Sequence, residues 1–230
     1  MNQLKSWLYR HYLKLIILFG GVLVPLYLFG ALAEEVVEQE IFSFDKPILL
    51  FFHSHANAVL DVTMIFFTRA GSAAALVPLD VLVFLYLLWR RDRMQAVFWP
   101  LAVAGAALLN QLAKHVFARI RPDFWISSLP ESTFSFPSGH AMQSMAVVAG
   151  LVVLTWDGRW RWPVMLIGVC FVLLVGLSRI YLGVHFPSDI LAGWTASLAW
   201  VIGLSVLFKD VWRKRQRDES EVDESLSDHQ

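Results

Sequence analysis

Residues 15–33 read LIILFGGVLVPLYLFGALA, without a charged side chain. At 1.5 Å per residue a helix of this length reaches roughly 28 Å, about one bilayer hydrocarbon thickness. Backbone in that layer must satisfy its own hydrogen bonds, and an α-helix does so within one segment. The Ala31-Leu32-Ala33 ending resembles a small-residue cleavage pattern. The apolar run is nevertheless longer than the core of a usual secretion signal, so a retained span is expected.

Five further spans follow, at 70–89, 94–113, 141–156, 162–177 and 190–208. The two at 141–156 and 162–177 are short and can gain a turn from flanking residues. Between the first and second spans, residues 34–69 open with Glu34, Glu35, Glu38 and Glu40. They then carry apolar pieces too short to cross, ILLFF at 48–52 and VTMIFF at 62–67. One or two helices lying at the interface or packed on the bundle are predicted there. Residues 217–230 are charged and polar with almost nothing to bury, and are predicted to lack structure. The expected architecture is an all-α integral membrane protein. It is a six-transmembrane-helix bundle over 1–210 with an interfacial helical segment, followed by a charged, unfolded cytoplasmic tail at 211–230.

Composition agrees with this. The 230-residue chain is 57 % hydrophobic and 17 % charged, against about 25 % charged in soluble domains. Tryptophans at 99, 156, 160, 162 and 212 fall near block ends, as an interfacial aromatic belt requires. The single cysteine, Cys170, excludes an intrachain disulfide. Formal net charge is zero, and the basic residues cluster at span ends, so they bear on topology and not on nucleic acid. One side carries thirteen: Lys5, Arg10, Lys14, Arg90, Arg91, Arg93, Arg159, Arg161, Lys209, Arg213, Lys214, Arg215 and Arg217. The other carries six: Lys46, Arg69, Lys114, Arg119, Arg121 and Arg179. The richer side is expected in the cytoplasm, with both termini. The compact length suggests a bacterial cytoplasmic (inner) membrane.

Three polar stretches interrupt the apolar pattern, all on the predicted outer face. They are Lys114-His-Val-Phe-Ala-Arg-Ile-Arg121-Pro122, Pro137-Ser138-Gly139-His140, and Ser178-Arg179 followed by His185-Phe-Pro-Ser-Asp189. Lys114, Arg121 and Arg179 would repel a divalent metal, though two histidines and an acid could bind zinc in principle. The same cations suit a phosphate: arginine offers paired donors and lysine a point charge. Ser138 and Gly139 stand at a predicted helix start, where free N–H groups favour an anion. Ser138 could also serve as a helix cap alone. Phosphoryl transfer needs a nucleophile and a proton for the leaving oxygen. Asp189 beside His185 favours His185 as nucleophile and leaves His140 as general acid, although spacing alone does not decide which histidine attacks.

The ordered pattern Lys-x6-Arg-Pro, Pro-Ser-Gly-His and Ser-Arg-x5-His-x3-Asp resembles the signature of the type 2 phosphatidic acid phosphatase (PAP2) superfamily. The resemblance implies that His185 forms a phosphohistidine, Asp189 orients it, and His140 protonates the leaving group and then activates water. Lys114, Arg121, Arg179, Ser138 and Gly139 would hold phosphate oxygens. It implies no metal or other cofactor. Soluble vanadium haloperoxidases share the signature, but the apolar spans argue against that branch.

The expected activity is hydrolysis of a membrane lipid phosphomonoester or diphosphate. Undecaprenyl diphosphate is favoured because that carrier is released on the outer face; phosphatidylglycerophosphate and phosphatidate are further candidates. A phosphotransferase acting on lipid A, and a non-catalytic lipid-phosphate binder or transporter, are the competing readings. Among other polar residues, Asp80 lies inside a span without an evident partner. Asn110 and Gln111 are expected to support the site. Arg119 could attract an anionic headgroup. His53 and His55 lack the acid or cysteine of a metal site. A lipid-tail groove between spans, closed by the segment before Arg69, is expected from position. Oligomeric state is not legible.

Overall fold

The structure is a computed structural model that describes residues 12, 16, 18–38 and 41–227, and from 209 onward the backbone alone. Among the described residues every regular element is helical. Helix α1 spans Phe19–Val37 and opens with a π-helical turn over Phe19–Leu23. Then follow α2 (Asp45–Ser54), α3 (Ala58–Ala70), α4 (Ala73–Trp89), α5 (Arg93–Phe117), α6 (Gly139–Thr155), α7 (Arg161–Tyr181) and α8 (Pro187–Ser227).

Local chemistry sets several boundaries. The Asn57 side chain accepts hydrogen bonds from the Val59 and Leu60 amides, capping α3. Asp92 accepts from Gln95 at the start of α5. Ala118, left-handed at φ 45°, turns the chain out of α5.

The six-span expectation changes in two places. Four helices are long and apolar enough to cross a bilayer: α1, α5, α7 and the Pro187–Phe208 part of α8. Helices α3 and α4 are apolar and long enough only when taken together, and they meet at a bend of 43°. Residues 58–70, read from sequence as an interfacial piece, form a separate helix set at that bend to α4 and packed on α7. Helix α6 (Gly139–Thr155) has 17 residues and is short for a span by itself. The backbone of α8 also runs on to Ser227, through the segment expected to lack structure. Glu, Lys and Arg are good helix formers by intrinsic propensity.

Helix α6 lies at the centre, packed on α5, α7 and α8. Trp99 of α5 is fully buried among Leu76, Leu87, Ala96, Val103 and Val147, and its Nε1 donates to the Asp80 carbonyl at 2.9 Å. Ala102, Ala106 and Ala146 let α5, α6 and α8 approach closely around Phe98 and Val201. A Cβ on Gly193 would lie 3.0 Å from the Ser138 carbonyl, so this glycine brings α8 against the start of α6. The outward faces carry Leu26, Leu82, Leu85, Leu108, Leu112, Leu166 and Ile167, all exposed. Helices apolar on both faces suit a lipid surround, and the chain is a multi-pass membrane protein.

Candidate active site

Five elements converge at one end of the bundle. Helix α5 delivers buried Lys114 in its last turn. The loop 118–138 carries Arg119, Arg121, Glu131, Thr133 and Ser135 back across the helix ends. Ser138 caps α6, accepting from the Ala141 amide, and His140 follows in the first turn. Arg179 ends α7. Gly183, with φ +69°, turns the chain so that His185 precedes α8, whose first turn holds Asp189. The Ser138 amide donates to the Asp189 carbonyl at 3.1 Å, joining the second and third motifs.

His185 and Asp189 form a buried dyad. Nδ1 of His185 lies 3.2 Å from Asp189 Oδ2. The same oxygen accepts from the Phe186 amide at 2.9 Å and from the Ser135 hydroxyl. The carboxylate cannot donate when ionised, so the proton sits on Nδ1 and Nε2 carries the free lone pair. Arg121 Nη1 lies 3.0 Å from that Nε2. Burial, followed by the Arg121 and Arg179 cations, pushes His185 well below its ordinary value. It is therefore a neutral imidazole in the physiological range.

Asp189 Oδ1 pairs with Arg119 Nη1 at 2.6 Å, and Arg119 Nη2 reaches Asp45 Oδ2 at 3.1 Å. Asp45, in the first turn of α2, also accepts from the Ser188 amide at 2.9 Å and hydroxyl at 2.6 Å. Arg119 is thus an internal tie, with its guanidinium over the Phe186 ring. The expected headgroup contact is corrected: two buried carboxylates hold the cation more strongly than a solvated surface could.

The remaining cations surround the histidines. Lys114 Nζ donates to Thr133 Oγ1 at 2.9 Å. Arg121 donates to the Val184 carbonyl at 2.6 Å and to the Thr133 carbonyl at 2.7 Å. Arg179 donates to Thr68 Oγ1 and to Glu131, while its buried Nε has no partner among the described residues. Glu131 also pairs with Arg121 at 2.6 Å and lies 3.9 Å from His140 Nδ1. Burial would raise Glu131, but the surrounding positive charge, Arg179 foremost, holds it below its ordinary value.

All eight sequence-selected residues lie in this region. Ser138 acts locally as a cap. Asn110 supports the second motif by donating to the Pro137 carbonyl at 3.0 Å. His53 stacks on Trp125 at 4.2 Å and His55 bonds to the Phe51 carbonyl. Among the described residues no group of three His, Cys, Asp or Glu is placed to hold a metal.

A cavity of about 530 Å³ leads from Lys114, Glu131 and His140 down to Val81, Phe84 and Val103. It lies between α4, α5 and α6, whereas the segment before Arg69 was expected to close it. Its upper end is charged and its lower wall apolar, with Asp80 as a polar exception that accepts from Gln143 at 3.5 Å. Sequence reasoning missed Asp45, Glu131, Thr133 and Ser135. They belong to no motif and look like ordinary loop or helix-start residues.

The PAP2 superfamily model matches residues 95–213. An undecaprenyl-diphosphatase of Sulfolobus acidocaldarius is 29 % identical over 174 residues, covering 74 % of this chain and 80 % of that protein. Phosphatidylglycerophosphatase B of Bacillus subtilis is 32 % identical over 163 residues, covering 69 % and 80 %. The crystal structure of a transmembrane PAP2-type phosphatidylglycerolphosphate phosphatase from Bacillus subtilis superposes with a TM-score of 0.70 at 29 % identity. That alignment covers 83 % of this chain and 96 % of the other.

Proposed function

This chain belongs to the PAP2 superfamily, and from that premise we propose that it hydrolyses a membrane lipid phosphomonoester or diphosphate through a phosphohistidine. The observation that carries the reading is His185: Nδ1 is held by Asp189, and Nε2 opens toward Arg121.

In the proposed first step Nε2 attacks phosphorus and the bond to the leaving oxygen breaks. Arg121 transfers its hydrogen bond from Nε2 to a phosphoryl oxygen. Lys114, Arg179 and the Gly139 amide take the others, where negative charge develops, while the Ser138 amide stays on the Asp189 carbonyl. His140 gives the leaving oxygen its proton. In the second step His140 accepts a proton from water, the oxygen attacks phosphorus, and the nitrogen–phosphorus bond breaks. Asp189 stabilises the charge on the imidazole ring in both steps. No step draws on a metal, and three cations beside the dyad disfavour one.

The cavity beneath the charged end supports a lipid substrate whose tail lies along α4–α6. In the proposed topology six segments cross the bilayer, with α6 shielded at the centre. Both termini are cytoplasmic and the site faces outward, on the charge asymmetry alone. A released carrier diphosphate is found on that face, which favours undecaprenyl diphosphate. Similarity to proteins named for that lipid and for phosphatidylglycerophosphate supports the same class.

The test is phosphate release by purified wild type and His185→Ala in detergent with EDTA. Undecaprenyl diphosphate, phosphatidylglycerophosphate, phosphatidate and lipid A form the panel. Release that survives EDTA and vanishes in the variant is expected. A strict requirement for added metal, or an unimpaired variant, would overturn the mechanism.

A further inference from the structure

Glu131 is a charged group beside both histidines that the mechanism above leaves unused. Its Oε2 lies 2.6 Å from Arg121 Nη2, and Arg179 Nη2 donates to its Oε1. Oε1 is also 3.9 Å from His140 Nδ1. The carboxylate therefore takes hydrogen bonds from two of the three cations that form the proposed phosphate cradle, beside the proposed proton donor. A guanidinium fork receives carboxylate and phosphate in the same way, so the two anions compete for the same N–H groups. Glu131 is bracketed by this cradle and not by surface lysines: Arg179 is 2 % exposed and Arg121 12 %.

Charge decides which anion displaces it. Lys114, Arg121 and Arg179 against one carboxylate leave two positive charges. A phosphodiester headgroup brings one negative charge, as Glu131 does. It would have to displace a carboxylate that the loop tethers at high effective concentration. A phosphomonoester brings about two charges at neutral pH, and a diphosphate brings no fewer. It can satisfy Lys114 as well as the arginines. The distinction matters because the cavity runs along the spans, where phosphodiester lipids are the commonest anions.

We infer that Glu131 is a specificity-determining residue: a resident anion that keeps singly charged phosphodiester lipids off Arg121 and Arg179 and yields to doubly charged phosphoryl groups. This rests on the lipid-phosphatase reading. It implies that substrate entry moves the loop 118–138 enough to free both guanidinium groups.

The experiment compares wild type, Glu131→Gln and Glu131→Asp in mixed micelles. Lipid phosphomonoester turnover is measured against added phosphatidylglycerol at fixed surface dilution. Wild type and Glu131→Asp should be little inhibited by the diester. In Glu131→Gln the inhibition constant for phosphatidylglycerol should fall by about tenfold or more, equivalent to removing one modest charge-pair interaction. A second readout needs no turnover: the rise in unfolding temperature caused by dimethyl phosphate and by inorganic phosphate at alkaline pH. Glu131→Gln should gain a response to dimethyl phosphate that wild type lacks. An unchanged ratio of diester to monoester binding, or a loss of inorganic phosphate binding in Glu131→Gln, would overturn the inference. Failure of wild type to hydrolyse any lipid phosphate would instead sink the functional reading, while the unfolding measurement would still judge Glu131.

Discussion

Arg119 Nη1 lies 2.6 Å from Asp189 Oδ1 while its Nη2 lies 3.1 Å from Asp45 Oδ2, so one guanidinium joins the dyad carboxylate to the first turn of α2. Both carboxylates are fully buried. The tie fixes the oxygen that does not face His185, and with it the angle of the oxygen that does.

Replacing Arg119 by Met should leave two buried carboxylates facing each other. Removing one partner from a buried ion pair costs about 3–5 kcal/mol, so the unfolding temperature should fall. Arg119 is a positioning residue, and kcat should drop by about 10–100-fold, by analogy with groups that orient ligand histidines, with a smaller change in KM. Arg119→Lys should recover part of kcat. A variant with normal kcat and raised KM would mean that Arg119 binds substrate after all.

The acid limb of activity should lie low. His185 has a folded value depressed well below its ordinary 6.5. For a depressed group, stability is fully present above the unfolded value and declines as pH falls toward the folded one. Neutral His185 should thus persist below pH 6.5, while the unfolded chain begins to gain protons there and stability declines. Profiles of kcat/KM on two substrates with different phosphate ionisation would isolate the enzyme's limb. A shared limb at or above 6.5 would contradict a buried neutral nucleophile.

Gly183→Ala should destabilise the turn that presents His185. Its φ of +69° costs a non-glycine residue about 1–2 kcal/mol, and the new Cβ would meet Trp125 at 2.5 Å. Thermal unfolding and kcat should both decline, since the same turn sets the path from Arg179 to His185. Unchanged melting and activity would show that Trp125 can move away freely.

Filling the cavity should discriminate by tail. Ala104 and Ala107 of α5 line it below the charged end. Ala107→Phe should raise KM for long-chain lipid phosphates by about tenfold, the effect of about 1.4 kcal/mol of lost binding. Turnover of a short-chain soluble phosphomonoester should be nearly unchanged. Equal losses on both substrates would place the tail elsewhere.

Much of the site was legible because phosphate chemistry demands particular side chains. Lys114, Arg121, Arg179, His140, His185 and Asp189 stand out as polar residues in an apolar chain, and ordered spacing tied them to one membrane face. Arg119 was visible but misjudged: sequence shows a cation beside a motif, not the two carboxylates it will meet. Asp45 lies far upstream in a segment whose pattern suggested an interfacial helix, and its pairing with Arg119 crosses 74 positions. Glu131 sits in a loop where an acid is the ordinary solvated residue, and only its pairing with two arginines makes it exceptional.

The sequence by itself determined the solvent and pointed to the chemistry: long uncharged runs require helices in lipid, and the cations and histidines of the motifs suit a phosphate-sized anion. Tertiary structure decided the rest. It set α3 at a bend to α4, put α6 in the centre, opened the cavity on the α4–α6 side and set Glu131 against Arg121 and Arg179. Hydropathy and motif spacing are local properties that act along the chain. Close packing at glycines and alanines, and the pairing of buried charges, depend on contacts between residues far apart in sequence, which form only when the helices assemble.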